Sequence, residues 1–242
     1  MKLRIVFDSE AVSPEYERGF GLSILLDETI LFDTGSSGRA LLHNLKELGA
    51  GINALHQVII SHEHWDHIDG LWELLEKRKG LRVVVCPGFS QECKSHIAAM
   101  GNTVVEADKV MQIDGPLYTT GELTGTYADA HIAEQALVLC NNEEATMITG
   151  CAHFGIADVL PTVTERLKQH FGRPIAVTKL IGGFHLRHHD SRALAEVVGA
   201  LRDRGIRSVV PLHCTGSAAA AALTERYGEH CRVLRVGETT VV

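Results

Sequence analysis

The sequence is poor in the features that mark several large classes of protein. Proline is scarce, with six in 242 residues, and 45% hydrophobic against 22% charged residues is the balance of a globular chain rather than a disordered one. No stretch approaches the roughly 20 apolar positions of a membrane span. The opening Met1-Lys2-Leu3-Arg4-Ile5-Val6-Phe7-Asp8 reaches an acid before a signal-peptide core of about 7–15 apolar residues can form. The six cysteines, at 86, 93, 140, 151, 214 and 231, include no Cys-x-x-Cys pair and are too sparse for a disulfide framework. Reduced thiols and a cytoplasmic location are expected, with no membrane partner. Lys and Arg are scattered apart from Lys77-Arg78-Lys79 and the net charge is -7, so no nucleic-acid partner is expected either. A chain of this length buries roughly 70–75% of its unfolded surface, enough for a core without staples. These exclusions leave a small, anionic or metal-anchored substrate as the expected partner.

Short apolar runs bounded by turns alternate with longer amphipathic stretches, the pattern of layered α and β elements. Residues 3–7, 22–26 and 30–32 read as strands, the last two joined by Asp27-Glu28-Thr29 as a hairpin. Residues 39–48 carry Leu41, Leu42, Leu45 and Leu48 at helical spacing, with Gly49 as a stop. Strand 57–61, helix 70–79, strand 81–86 and helix 89–100 follow. Residues 103–149 turn β-rich, with strands expected at 117–120, 125–127, 135–140 and 145–149. A helix over 156–171, with Pro161 in its first turns, a strand at 175–181, a helix at 192–204, a strand at 206–212, a helix at 218–227 and a final strand pair complete the reading. The order β, αβ, β, αβ predicts two similar halves in a single domain of residues 1–242. The fold class is α/β, two sheets face to face with helices outside, a four-layer αββα sandwich.

The count that stands out is histidine, 14 in all, and their positions converge. Strands are expected to run into His62, into Gly150-Cys151-Ala152-His153, into Gly182-Gly183-Phe184-His185 and into His213. Ligand sites in α/β architectures gather beyond the carboxyl ends of strands, so four such exits can meet at one point. The densest segment is His62-Glu63-His64-Trp65-Asp66-His67, which offers four imidazole or carboxylate donors in six residues. Such donors suit zinc, iron or manganese, and a second metal needs further ligands, which His153 and His213 can supply.

The run His-x-His-x-Asp-His followed by a glycine and a helix, residues 62–70 here, resembles the mark of the metallo-β-lactamase superfamily, and the resemblance spans the whole chain. Ile30-Leu31-Phe32-Asp33-Thr34-Gly35 is similar to the strand and Asp-x-Gly element that precedes the motif in that family. Residues 150–153, 182–186 and 213–216 resemble a subgroup that includes the dihydropterin/ribofuranosylaminobenzene phosphate synthase-like proteins, alongside others called only metal-dependent hydrolases.

The resemblance implies a metallo-hydrolase with two divalent ions, zinc first and iron or manganese as alternatives. It implies that His62, His64 and His153 hold one ion and Asp66, His67 and His213 the other, with Asp33 supporting the metal loop from behind. Commoner members end the Thr-Gly strand in a bridging aspartate where this chain has Cys151, which is either a thiolate ligand or a buried thiol beside a working His153. His131 lies near the place where those members keep the third histidine of the first metal and competes with His153; the subgroup motif favours His153. His185 resembles the histidine that serves related phosphodiesterases as general acid. Thr215, Gly216 and Ser217 open a helix, where N–H groups and hydroxyls either hold an anion or simply cap.

The expected chemistry is hydrolysis of a phosphodiester or other phosphorylated small molecule by a metal-activated hydroxide, oriented by Asp66, with His185 protonating the leaving group. One alternative is a pterin-type transferase in which diphosphate is displaced. Another is a metal or oxygen binding module without hydrolytic work, which His64 disfavours because oxygen-active diiron relatives carry glutamate there.

Overall fold

A computed structural model describes residues 1–127 and 130–242. The chain divides into two compact units, residues 1–107 with 234–242, and residues 108–233.

In the first unit, β1 (Lys2–Phe7), β2 (Ser23–Leu26) and β3 (Ile30–Phe32) form an antiparallel meander, with the expected turn at Asp27-Glu28-Thr29. Helix α1 (Gly38–Glu47) follows, then β4 (Gln57–Ile59), α2 (Trp65–Lys77), β5 (Arg82–Val85), α3 (Gln91–Ala99) and β6 (Thr103–Glu106). Strands β3 to β6 pair in parallel, each crossover carrying a helix, as parallel neighbours require. The C-terminal strand Thr239–Val241 pairs with β1 and brings the sheet to seven strands. The final strand pair expected from the sequence is therefore one strand that completes the N-terminal sheet; upstream of it, isolated bridges join Cys231 to Val209 and Val236 to Ala11.

The ends of these helices follow local chemistry. Ser37 caps α1 by accepting from the Ala40 N–H, and the helix stops where Gly49 takes φ 71°. Ser90 caps α3 through the Cys93 N–H. Helix α2 starts at Trp65 rather than at residue 70. Its first turn buries Asp66 and His67 beside a single apolar residue, Ile68, so the apolar period is too thin there to mark the start.

In the second unit the elements run β7 (Met111–Asp114), β8 (Leu117–Thr119), β9 (Leu123–Tyr127), β10 (Ala130–Glu134), β11 (Leu137–Asn141), β12 (Glu144–Thr149), α4 (Val159–Phe171), β13 (Ala176–Gly183), α5 (Ser191–Asp203), β14 (Ser208–Leu212) and α6 (Ser217–Tyr227). Six strands form one sheet in the order β14-β13-β12-β11-β8-β7, and β9 and β10 form a separate antiparallel pair. Strands β12, β13 and β14 are parallel, and the others in this sheet antiparallel. Met147, Leu180 and Val209 from the sheet and Val163, Leu167, Leu201 and Leu223 from the helices share its apolar core. Pro161 occupies the first turn of α4, where no intrahelical N–H is required. Strands β6, β7 and β10 add to those expected. Asp129, read with Ala130 and His131 as a loop entering a strand, lies outside the described residues, and β10 begins at Ala130.

Within each unit the chemistry-bearing loops leave one end of a parallel strand set. Asp33 follows β3 and His62 follows β4; Cys151 and His153 follow β12, His185 follows β13 and His213 follows β14. Among the described residues, no helix is long and apolar enough to cross a membrane.

Candidate metal centre

In the first unit the site is built around Asp33, which is fully buried and holds φ 58°. A non-glycine residue in the left-handed region is uncommon, and aspartate is among the few that tolerate it. Its Oδ1 accepts from the Ser61 backbone N–H (2.6 Å), and its Oδ2 accepts from the Ser61 hydroxyl (2.7 Å) and faces His67 Nδ1 (2.6 Å). One carboxylate therefore ties the exits of β3 and β4 to the first turn of α2. The backbone repeats the tie, with the Thr34 N–H donating to the His67 carbonyl (2.8 Å) and Gly70 N–H to the Gly35 carbonyl (3.0 Å). Gly70 is required here, because a Cβ on it would lie 2.1 Å from the Thr34 oxygen.

These bonds fix tautomers. The single proton of the Ser61 hydroxyl goes to Asp33, so His62 Nδ1, 2.8 Å from that hydroxyl, is the donor between them and its Nε2 is left as a lone pair. His67 Nδ1 donates to Asp33 by the same logic, and its Nε2 turns toward Asp66 Oδ2 at 3.6 Å. His62 Nε2 lies 3.1 Å from His64 Nδ1. Two nitrogens on one tetrahedral zinc, each bound at about 2.0–2.1 Å, sit about 3.3 Å apart, so the pair fits a shared ion. The residues of this unit thus suit a divalent metal, with His62, His64, Asp66 and His67 as donors and Asp33 behind them.

The second unit repeats the device with Glu134, which the sequence reading missed. It ends β10, is 1% exposed, and takes the backbone N–H groups of Cys151 (3.0 Å) and Ala152 (2.8 Å) on Oε1 and that of His153 (2.9 Å) on Oε2. Oε2 also faces His153 Nδ1 at 3.1 Å, the arrangement by which a carboxylate orients a metal-binding imidazole. Burial alone would raise this carboxyl, but the hydrogen bonds from His153 and Cys151 and the charge of His153 hold it below the usual carboxylate range. The signal available in the sequence was an acid in the buried phase of a strand, Ile132-Ala133-Glu134, rather than in a turn.

Strained backbone marks the same strand exits. Ala152, His185 and His213 hold φ 59°, 53° and 48°. His185 follows two glycines that let β13 press against its neighbours: a Cβ on Gly182 would sit 2.1 Å from the Thr149 oxygen, and one on Gly183 would sit 2.2 Å from the Gly150 oxygen. The His185 ring lies 4.6 Å from that of His153, and Tyr127 packs edge-on against both, at 5.1 Å from His153 and 5.2 Å from His185. Ring nitrogens of His153 and His185 fall within 4.8 Å of one another and of Cys151 Sγ. His131, the competitor of His153, is exposed on β10. His188 and His189 are exposed as well.

Cys214 is a second residue the sequence reading left unassigned. It is buried, its sulfur accepts from the His185 N–H (3.3 Å), and it lies within 4.8 Å of Cys151 Sγ and a His213 ring nitrogen. Burial would raise the thiol, yet hydrogen bonding with Cys151 and His185 and the nearby imidazoles hold it well below the usual thiol range. Thr215 turns inward, accepting from the Phe184 N–H (3.1 Å), and α6 is capped by Gly216 with no side-chain bond. Of the three residues proposed to hold an anion, Thr215 therefore spends its hydroxyl on β13, while Ser217 is exposed.

The sequence profile described as "Metallo-beta-lactamase superfamily" matches residues 16–87, which contain Asp33 and the whole His62–His67 run. Over its full length the chain is similar to Tm1679, a metal-dependent hydrolase of the β-lactamase superfamily, with TM-score 0.78, 25% identity and coverage of 100% of this chain and 99% of that one. The fold is that of the metallo-β-lactamase superfamily, and the family profile covers the part of the chain that carries the His62–His67 run. The metallo-β-lactamase fold protein YhfI from Bacillus subtilis shares the fold at TM-score 0.70 and 14% identity, over 99% of this chain and 98% of its own. The α/β sandwich class expected from the sequence is thereby borne out. A further relative is 7,8-dihydropterin-6-methyl-4-(beta-D-ribofuranosyl)-aminobenzene-5'-phosphate synthase of Methanocaldococcus jannaschii, 24% identical, covering 90% of this chain and 88% of the relative. Each unit supplies histidines backed by a buried carboxylate, Asp33 on His67 in the first and Glu134 on His153 in the second.

Proposed function

We propose that this enzyme is a metal-dependent hydrolase of a phosphorylated small molecule, with a phosphodiester as the first substrate class. The observation that carries the reading is the buried carboxylate behind a motif histidine in each unit, Asp33 on His67 and Glu134 on His153. Such pairs fix an imidazole for a metal and raise its basicity. The ligand sets remain those the family motifs imply, His62, His64 and His153 for one ion and Asp66, His67 and His213 for the other, with zinc first and iron or manganese as alternatives. Divalent ions here supply a water of lowered pKa and positive charge for the oxygens of the transition state.

The chain's own residues supply orientation and protons. Asp66, on the first turn of α2, orients the attacking water. The water gives a proton to solvent as its oxygen bonds to phosphorus, the bond from phosphorus to the leaving oxygen breaks with its electron pair on that oxygen, and the His185 imidazolium gives that oxygen a proton. Elemental analysis beside a panel of phosphodiesters and phosphomonoesters tests this: metal-dependent turnover of a phosphodiester supports it, and full metal content with no hydrolysis of any phosphorylated compound overturns it.

The similarity to the Methanocaldococcus jannaschii synthase favours a second reading, a transferase that displaces diphosphate from a pterin when an aminobenzene partner attacks. Coupling of a pterin diphosphate to that partner, with phosphodiesters untouched, would replace the first reading by the second.

A further inference from the structure

Two of the six cysteines meet, and they do so beside a histidine. Cys151 leaves β12, Cys214 leaves β14 one residue after His213, and the two sulfurs and a His213 ring nitrogen all lie within 4.8 Å of one another. All three residues are buried, at 3%, 4% and 5% exposure. A buried free cysteine ordinarily behaves as a small hydrophobe in an apolar core. These two do not: neither is part of the apolar cluster that fills the second unit, whereas Cys140 on β11 packs against it. Instead Cys214 Sγ rests on bare backbone, where a Cβ at Gly183 would approach it to 2.6 Å, and it takes the His185 N–H. Cys151 Sγ is also within 4.8 Å of the ring nitrogens of His153 and His185, so one sulfur reaches two sets of imidazoles.

Two sulfurs and an imidazole are the donor set of a soft site. Thiolates favour zinc, whereas magnesium and calcium seek oxygen. Two sulfurs on one tetrahedral zinc, each at about 2.3 Å, stand about 3.8 Å apart, so a separation under 4.8 Å closes with a small side-chain rotation.

We propose that Cys151 and Cys214 are metal ligands beside His213, and that they make this a thiophilic site taking zinc. The inference rests on the reading of the chain as a metalloenzyme and deepens it: His213 keeps its ion, and two thiolates join it. Each thiol gives up its proton on binding, and an accessible base or water carries it away.

Cobalt(II) and zinc are the probes. Full-length protein stripped with a chelator and reloaded with cobalt(II) should show a near-ultraviolet thiolate-to-cobalt charge-transfer band. The band should fall by about half in Cys151→Ser and in Cys214→Ser, vanish in the double variant and persist in Cys140→Ser. Zinc affinity in either single variant should drop by more than the roughly 10- to 100-fold that loss of an outer partner costs. Because a serine variant can fail to fold, X-ray absorption at the zinc edge of the unmodified protein decides independently: a sulfur shell at about 2.3 Å supports the proposal. Bound zinc with only nitrogen and oxygen neighbours overturns it while leaving the metalloenzyme reading intact. A chain that binds neither ion overturns both.

Discussion

Asp33 and Glu134 are single residues on which several others depend. Asp33→Asn preserves the side-chain shape and tolerates the left-handed backbone, but it puts an amide N–H where the Ser61 hydroxyl and His67 Nδ1 both donate. The expected outcome is a folded protein by circular dichroism with metal affinity reduced about 10- to 100-fold, read by competition with a chelator. Glu134→Gln keeps one acceptor for Cys151 and Ala152 but loses the charge facing His153. It should cost about 1.5–3 kcal/mol in urea unfolding, the range of a charge-assisted hydrogen bond. The sign of its pH dependence follows from a folded pKa held below the unfolded one. Its stabilisation is complete above the ordinary carboxylate range and is lost as pH falls through the folded value. The gap between parent and variant should therefore be constant near neutrality and close only in acid.

At the scale of elements, glycines separate tolerance from necessity. Gly199 lies inside α5 without a left-handed φ, and a Cβ added there would meet nothing within 4 Å. Gly199→Ala should stabilise the protein by about 0.5–1 kcal/mol, seen as a higher denaturant midpoint at unchanged slope. Gly183→Ala meets the Gly150 carbonyl at 2.2 Å, backbone that has no room to yield. It should destabilise by about 1–3 kcal/mol or more, the cost of overpacking, and displace His185 with it. Equal effects of the two alanines would show that β12 and β13 do not need their close approach.

At the scale of the whole molecule, the test is catalytic. His185→Ala should keep metal content and lose about 10²- to 10⁴-fold in turnover on a substrate with a poor leaving group, and much less on a nitrophenyl ester whose leaving oxygen needs no proton. Ring nitrogens of His185 and His153 and the Cys151 sulfur lie within 4.8 Å of one another. Lost metal in this variant would move it from proton donor to ligand, and equal losses on both substrates would remove it from the acid role.

The class of fold and the gathering of residues 62–67 at a strand exit were legible in the sequence because they depend on local order: a strand, then an abrupt polar turn dense in imidazole and carboxylate. The start of α2 was not, since its first turn buries Asp66 and His67 and offers only Ile68 to an apolar period. Nor were Glu134 and Cys214. Glu134 stands seventeen residues before Cys151 and reaches it only because β10 ends beside the loop that leaves β12. Cys214 stands 63 residues after Cys151 and meets it only because β12 and β14 flank β13 in parallel. A motif records which donors a chain offers. Which carboxylate stands behind each histidine, and which sulfurs come together, is set by strand pairing between segments far apart in the chain, and only the tertiary structure decides it.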